Sequence, residues 1–260
     1  MGAPSGVGGA SRQDHLDAAA IAAEAGRLLL VLRGSGLEGD ALRTAGDRQS
    51  HELIVTALGQ RHPGDPVLSE EGVDDPVRLS AHRVWIVDPL DGTREFGEPD
   101  RDDWAVHVAL VIDGRAEVGA VALPAAGMTL STAEPPLTAA SSPGRLRLVV
   151  SRTRPTPYAR ALAAALDAEL VPMGSAGAKA MAVVRGTADV YAHSGGQREW
   201  DSAAPVAVAV AAGLHASRLD GSPLVYNQPD PSVPDLLICR PDAAERVFAA
   251  VAAITKEDRR

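Results

Sequence analysis

The sequence predicts an α+β half followed by an α/β half, on three observations. Two β-type runs flank the turn signal Asp113-Gly114, the mark of antiparallel strands. From residue 146 onward, strand-like and helix-like segments alternate, as they do in α/β proteins. Between these regions, residues 134–145 are crowded with Pro, Ser and Gly, which marks a connector. The halves are therefore expected at 11–140 and 141–260, after a Gly- and Ala-rich stretch at 1–10 that reads as a disordered leader.

Taken in order, Asp14 to Leu32 places Leu16, Ala20, Ala23 and Leu28 or Leu30 near one helical face, with Gly34 as a stop. A second helix is expected from about Asp47 through Leu53, Ile54 and Leu58 to His62, closed by Pro63-Gly64. Pro66 to Ser69 is a short strand leading into Glu70-Glu71, and Arg83 to Val87 is an apolar, β-branched run that reads as a buried strand. Trp104 to Ile112 alternates apolar and polar residues, and strands near 116–123 and 128–132 complete an antiparallel meander. The second half should hold strands at 146–151, 169–172, 188–192 and 235–239, and helices at 157–168, 175–185, 200–212 and 242–255. No internal repeat is visible.

Composition narrows the function. At 260 residues, 45% hydrophobic and 23% charged, the chain can bury a sizeable core. Aromatics are only 3%, too few for base-stacking surfaces, and a net charge of −9 disfavours long polyanions, so a nucleic-acid polymer is not an expected partner. Cys239 is the only cysteine, which excludes an intrachain disulfide and suits a reducing, cytoplasmic setting. The longest apolar run, about Ala203 to Leu214, contains Pro205 and is too short to span a bilayer, so no membrane association is expected.

The chemistry concentrates in Asp88-Pro89-Leu90-Asp91-Gly92-Thr93. The stretch lies at the carboxyl end of a buried strand, where open α/β sheets place their ligands. Pro89 removes a backbone donor, Gly92 permits close approach of a ligand, and Thr93 adds a hydroxyl beside free N–H groups. Two hard oxygen ligands next to N–H donors point to a divalent metal and a phosphate bound together. Further carboxylates stand at segment ends: Asp47, Glu70, Glu71 and Asp201. Mg²⁺ takes oxygen ligands and is usually bound by carboxylates plus substrate phosphate. Each has a plainer alternative: Asp47 or Asp201 as a helix cap, Glu70-Glu71 as a solvated loop.

Three ordered motifs carry a resemblance. Leu68-Ser69-Glu70-Glu71, Trp85-Ile86-Val87-Asp88-Pro89-Leu90-Asp91-Gly92-Thr93 and Glu199-Trp200-Asp201-Ser202-Ala203-Ala204 together resemble the inositol monophosphatase superfamily. The resemblance implies a layered αβαβα fold and a lithium-sensitive phosphomonoesterase dependent on two or three Mg²⁺ ions. It implies Glu70 and the Leu90 carbonyl on the first metal, Asp88 bridging, and Asp91 and Asp201 on the second. Glu71 would serve a water or a third ion, Gly92 and Thr93 would donate to phosphate, and Asp47 would pair with Thr93. It also implies attack by water without a covalent intermediate. Haloacid-dehalogenase phosphatases carry a similar motif, but there the paired aspartates sit two apart, against three here. Members of the superfamily are often homodimers, which makes a homodimer an option for this chain.

Gly174-Ser175-Ala176-Gly177-Ala178-Lys179 resembles a segment that bisphosphate nucleotidases use against the nucleotide. Ser175 and Lys179, four apart, are expected on one helical face toward a second phosphate, the alternative for Lys179 being an ordinary surface lysine. Arg94 and Arg101 are further candidates for an anionic group. The chain is most similar to the CysQ-type branch, the 3′(2′),5′-bisphosphate nucleotidases of bacterial sulfate assimilation. The expected substrates are 3′-phosphoadenosine 5′-phosphate and its 5′-phosphosulfate, with inositol phosphates or fructose 1,6-bisphosphate as alternatives. A non-catalytic, metal-dependent nucleotide sensor is the option from another class.

Overall fold

The computed structural model describes residues 9–137 and 144–257. Most of the expected leader and the middle of the expected connector lie outside the described residues, and Ala10 is partly buried against the first hydrophobic layer.

Helices α1 (Arg12–Arg33) and α2 (Gly39–Arg61) are followed by strands β1 (Val67–Ser69) and β2 (Arg83–Asp91). After a single turn, α3 (Thr93–Phe96), the meander β3 (Ala105–Ile112), β4 (Arg115–Leu123) and β5 (Met128–Ser131) completes a sheet of order β1-β2-β3-β4-β5. Only β1 and β2 run parallel in it. The second half continues with β6 (Arg147–Ser151), α4 (Pro157–Leu166), β7 (Glu169–Met173), α5 (Ala176–Val184) and β8 (Val190–His193). It ends with β9 (Gln197–Arg198), α6 (Glu199–Ala211), β10 (His215–Ser217), β11 (Ser232–Val233), β12 (Leu236–Cys239) and α7 (Ala244–Glu257). Its main sheet has the order β10-β12-β8-β6-β7.

Strand alternation builds five layers. On β2, Trp85 and Val87 pack with α1 and α2, while Val84 and Ile86 face α5 and α6. On the second sheet, Val149, Tyr191 and Ile238 face that same central helical layer. Leu148, Val190 and Leu237 point the other way, onto α4 and α7. The order is therefore αβαβα, and the central helices come from the second half of the chain although they cover the first sheet.

The sequence reading errs most at α2, which begins at Gly39 rather than near Asp47. Its buried stripe is Leu42, Gly46, Ser50, Ile54 and Leu58, so two of five inward positions are not apolar and the helical period is concealed. Close packing explains the small residue: a Cβ on Gly46 would lie 2.8 Å from Phe96 and 2.9 Å from Leu90. The strands β9, β10 and β11, of two or three residues each, were not anticipated because they are too short to show alternation. Among the described residues no helix is long and apolar enough to cross a membrane.

Candidate active site

In a regular strand, residues three apart face opposite sides of the sheet. Asp88 pairs with His107 and Asp91 with Ala105, so β2 spends three residues where β3 spends two. This one-residue bulge, at Pro89-Leu90, returns Asp91 to the side that Asp88 faces. Ser50 Oγ donates to the Pro89 carbonyl at 2.6 Å, and Leu90 N donates to Asp88 Oδ1 at 3.0 Å, holding the bulge from both sides. Gly92, at φ 88°, then turns the chain into α3 in a conformation that L side chains rarely adopt.

The third carboxylate arrives from the second half. Asp201 lies in the first turn of α6, whose start at Glu199 rules it out as the residue before the helix. One of its oxygens nevertheless accepts from Arg198 N at 2.6 Å, so it does tie the helix start. Carboxylate oxygens of Asp88, Asp91 and Asp201 all lie within 4.8 Å of one another. Glu70 is outside that trio but shares a hydrogen bond with Asp88, and its own N–H donates to the Val87 carbonyl at 3.3 Å.

Electrostatics mark this cluster as short of positive charge. Burial, then Glu70, Asp91 and Asp201, hold the Asp88 carboxyl well above the ordinary range. Burial raises Glu70 to about 7, with Asp201, Asp91 and Glu71 adding to the rise. Asp201 is raised to about 6 by burial and then by Asp91. Asp91 goes the other way: burial opposes its charge, but His107, Ser175 and Lys179 outweigh burial and lower it. Hard oxygen donors crowded against their own repulsion fit a divalent cation of the Mg²⁺ type, since such an ion would remove the penalty each carboxylate imposes on the others.

Asp91 is held by the start of α5. It accepts from Ala176 N at 3.0 Å, Gly177 N at 2.6 Å and the Ser175 hydroxyl, and His107 Nε2 stands 3.2 Å away. His107 Nδ1 donates to the Trp200 carbonyl at 2.9 Å, so this buried ring links Asp91 to the segment carrying Asp201. Asp47 is not a helix cap. It lies within α2, where its Oδ1 is 3.3 Å from Thr93 Oγ1. The Thr93 hydroxyl is also 3.1 Å from the Leu90 carbonyl, so its one proton has two acceptors. Burial, then Glu71, raise Asp47 to about 6.

A cleft of about 390 Å³ opens beside the cluster, lined among others by Thr93, Arg94, Arg154, Ser175, Lys179 and His193. Three expected substrate contacts have partners within the protein. Ser175 is the N-cap of α5, and its hydroxyl accepts from Ala178 N at 2.9 Å while donating to Asp91. Lys179 is buried, not an ordinary surface lysine, and its Nζ donates to the Gly174 and Ser175 carbonyls at 3.2 and 2.5 Å. Arg101 pairs with Asp103 and is not among the cleft's lining residues. Glu70 and Glu71 keep solvent-accessible area at the rim of the cluster, yet the Glu70 carboxyl packs against Asp88 and is partly desolvated, and the charge of both is felt there.

Sequence reasoning missed His107, Arg154 and His193. His107 had a faint signal, as the one titratable residue at inward positions otherwise filled by Ala105, Ala109 and Val111. Arg154 and His193 had none, since they join the cleft only through the second sheet.

Residues 13–256 of the chain match the inositol monophosphatase family. The 3′-phosphoadenosine 5′-phosphate phosphatase of Mycobacterium tuberculosis (strain CDC 1551 / Oshkosh) is 52% identical over 239 residues, covering 88% of this chain and 90% of that protein. The 3′(2′),5′-bisphosphate nucleotidase CysQ of Escherichia coli (strain K12) is 35% identical over 198 residues, covering 70% of this chain and 78% of that one. Among solved structures, CysQ from Bacteroides thetaiotaomicron superposes with a TM-score of 0.77 at 28% identity, over 88% of this chain and 97% of that one. The αβαβα layering, the carboxylate cluster at the strand ends and these matches lead to one conclusion: the chain belongs to the inositol monophosphatase family.

Proposed function

We propose that the protein is a Mg²⁺-dependent phosphomonoesterase that removes the 3′-phosphate of 3′-phosphoadenosine 5′-phosphate and of its 5′-phosphosulfate. The observation that carries this reading is the trio Asp88, Asp91 and Asp201 at a cleft whose other lining includes Arg94 and Arg154. The 52% identity to a phosphatase named for that substrate supports the choice of ester.

Glu70, Asp88, the Leu90 carbonyl, Asp91 and Asp201 would hold the cations, and Glu71 would stand by for a water or a third ion. The 11–140 half thus contributes most of the site, and the 141–260 half completes it. When bound, the cations supply Lewis-acid stabilisation of charge on the phosphoryl group and the leaving oxygen. The chain supplies orientation and proton transfer. Thr93, backed by Asp47, positions the attacking water and passes its proton to the Asp47 carboxylate. The Gly92 and Thr93 N–H groups receive the phosphate. The water oxygen bonds to phosphorus, the bond to the 3′ oxygen breaks, and that oxygen takes a proton from solvent. Asp91, already accepting from three donors, is a poor nucleophile, consistent with attack by water.

The role of Asp47 has a pH signature. Its carboxyl, raised to about 6 without metal by burial and Glu71, must be ionised to accept a proton, so kcat/KM should show an acid limb that bound cations place below pH 6. Asp47→Asn should lower kcat by about 10²–10⁴-fold and erase that acid limb. A variant that keeps the limb would remove Asp47 from the proton path.

Substrate choice is tested by kcat/KM in Mg²⁺ for adenosine 3′,5′-bisphosphate, inositol 1-phosphate and fructose 1,6-bisphosphate. The adenosine bisphosphate should lead by about tenfold or more, roughly one charge-assisted contact's worth. A lead for inositol 1-phosphate would overturn the reading, and binding without turnover of any ester would make the protein a sensor.

A further inference from the structure

The loop that leaves the carboxylate cluster at Glu70-Glu71 and returns to β2 has a single buried residue between Glu70 and Ser80, and that residue is an arginine. Arg78, in the 3₁₀ turn Pro76–Ser80, is 1% exposed. A guanidinium leaves water only where its donors are met. Nε and Nη2 donate to Asp74 at 2.6 and 2.9 Å, within the same loop, and that pair alone would close it. Nη1 reaches further, donating to Asn227 Oδ1 at 2.8 Å and to the Gln228 carbonyl at 3.0 Å in the second half of the chain. Asn227 Nδ2 donates back to the Arg78 carbonyl at 2.9 Å.

From there the grip continues to the site. Asn227 stands at φ 60°, in the left-handed region, and its N–H and that of Gln228 donate to the two oxygens of Glu199 at 2.7 and 2.8 Å. Glu199 is 1% exposed, opens α6 and precedes Asp201 by two residues. Asp88 and Asp91 belong to the first half of the chain and Asp201 to the second, so their oxygens converge only while the first turn of α6 keeps its place against β2. The path from Arg78 through Asn227 and Gln228 to Glu199 crosses that junction on groups other than the trio itself.

We infer that Arg78 is a positioning residue: acting through Asn227, Gln228 and Glu199, it registers the first turn of α6 against β2 and so sets the affinity of the site for its cations. The inference rests on the metal-dependent reading above. Glu199→Gln leaves one acceptor for two N–H groups, and Arg78→Lys keeps the charge but loses the fork. Calorimetric titration of Mg²⁺ into substrate-free protein should give a dissociation constant raised roughly tenfold in each, the low end of what groups behind a metal ligand contribute. The double variant should bind Mg²⁺ within about twofold of the weaker single one, since both substitutions break one path. With Mg²⁺ saturating, KM for adenosine 3′,5′-bisphosphate should stay within about twofold of the parent. Arg218→Gln, which breaks the Arg218–Asp235 pair elsewhere in the second half, should lower the melting temperature and leave Mg²⁺ affinity unchanged. An equal loss of affinity there would make general loosening the cause and overturn the assignment. So would Mg²⁺ affinity within about twofold of the parent in both Glu199→Gln and Arg78→Lys, with the cation reading left intact. Multiplying effects in the double variant would overturn the shared path, and a parent that binds no Mg²⁺ would overturn both readings.

Discussion

Asp88→Asn is expected to lower Mg²⁺-dependent kcat/KM by at least about 10³-fold, because it removes the carboxylate proposed to touch both cations. The same substitution should raise the melting temperature of the metal-free protein. Asp88 is 1% exposed among Glu70, Asp91 and Asp201, and the asparagine keeps an oxygen to accept from Leu90 N while removing the cost of burying a charge, or of taking up the proton that suppresses it, on folding. Relief of about 1 kcal/mol corresponds to roughly 2–4 °C for a chain of this size.

The sign of the pH dependence follows from the same groups. Asp88, Glu70 and Asp201 have carboxyls raised on folding, so the folded protein binds more protons than the unfolded chain. Without metal, stability should therefore increase as pH falls from 7 through about 6, the raised value of Asp201. Mg²⁺ should reverse that trend in the parent and have little effect on Asp88→Asn. Thermal melts at several pH values, with and without Mg²⁺, give all these quantities. A metal-free Asp88→Asn that melts lower than the parent would refute the account of mutual repulsion.

The second large effect is expected at Gly177→Ala. A Cβ there would lie 2.0 Å from His107 Nε2, and His107 is fully buried between Asp91 and the Trp200 carbonyl. Something must move, and each option damages the site: the ring leaves Asp91, or α5 shifts and its Gly177 N–H no longer reaches that carboxylate. Overpacking of this kind typically costs about 1–3 kcal/mol, and urea denaturation should show it as a lower midpoint with an unchanged slope. Activity should fall as well, since Asp91 loses its orientation. Adding His107→Ser should offset part of the loss, giving a favourable coupling of roughly 1 kcal/mol in a double-mutant cycle. Simple additivity of the two substitutions would mean that the clash with His107 is not the cause.

Local pattern was enough where the chain's chemistry is local. The Asp88–Thr93 stretch announced metal and phosphate because a proline, a glycine and two acids at a strand end have few other uses, and the structure places it at that end of β2. The meander was legible from alternation around Asp113-Gly114, and the later helices from the helical period. The start of α2 was not, because Gly46 and Ser50 occupy inward positions for reasons set by Phe96, Leu90 and Pro89, residues far along the chain.

For this protein, the sequence by itself determined the layered fold class, the family and the carboxylates of the cluster, since motif order and periodicity are properties of neighbours along the chain. Tertiary structure decided what each side chain is free to do. It alone showed that the bulge in β2 brings Asp88 and Asp91 to one side, and that His107 joins Asp91 to the Asp201 segment. It also tied Ser175 and Lys179 into the start of α5 at the wall of the cleft, and paired Arg101 with Asp103 away from it. The physical reason is that a charged or hydroxyl group in a fold binds the nearest partner, and nearness across layers is not written in spacing along the chain.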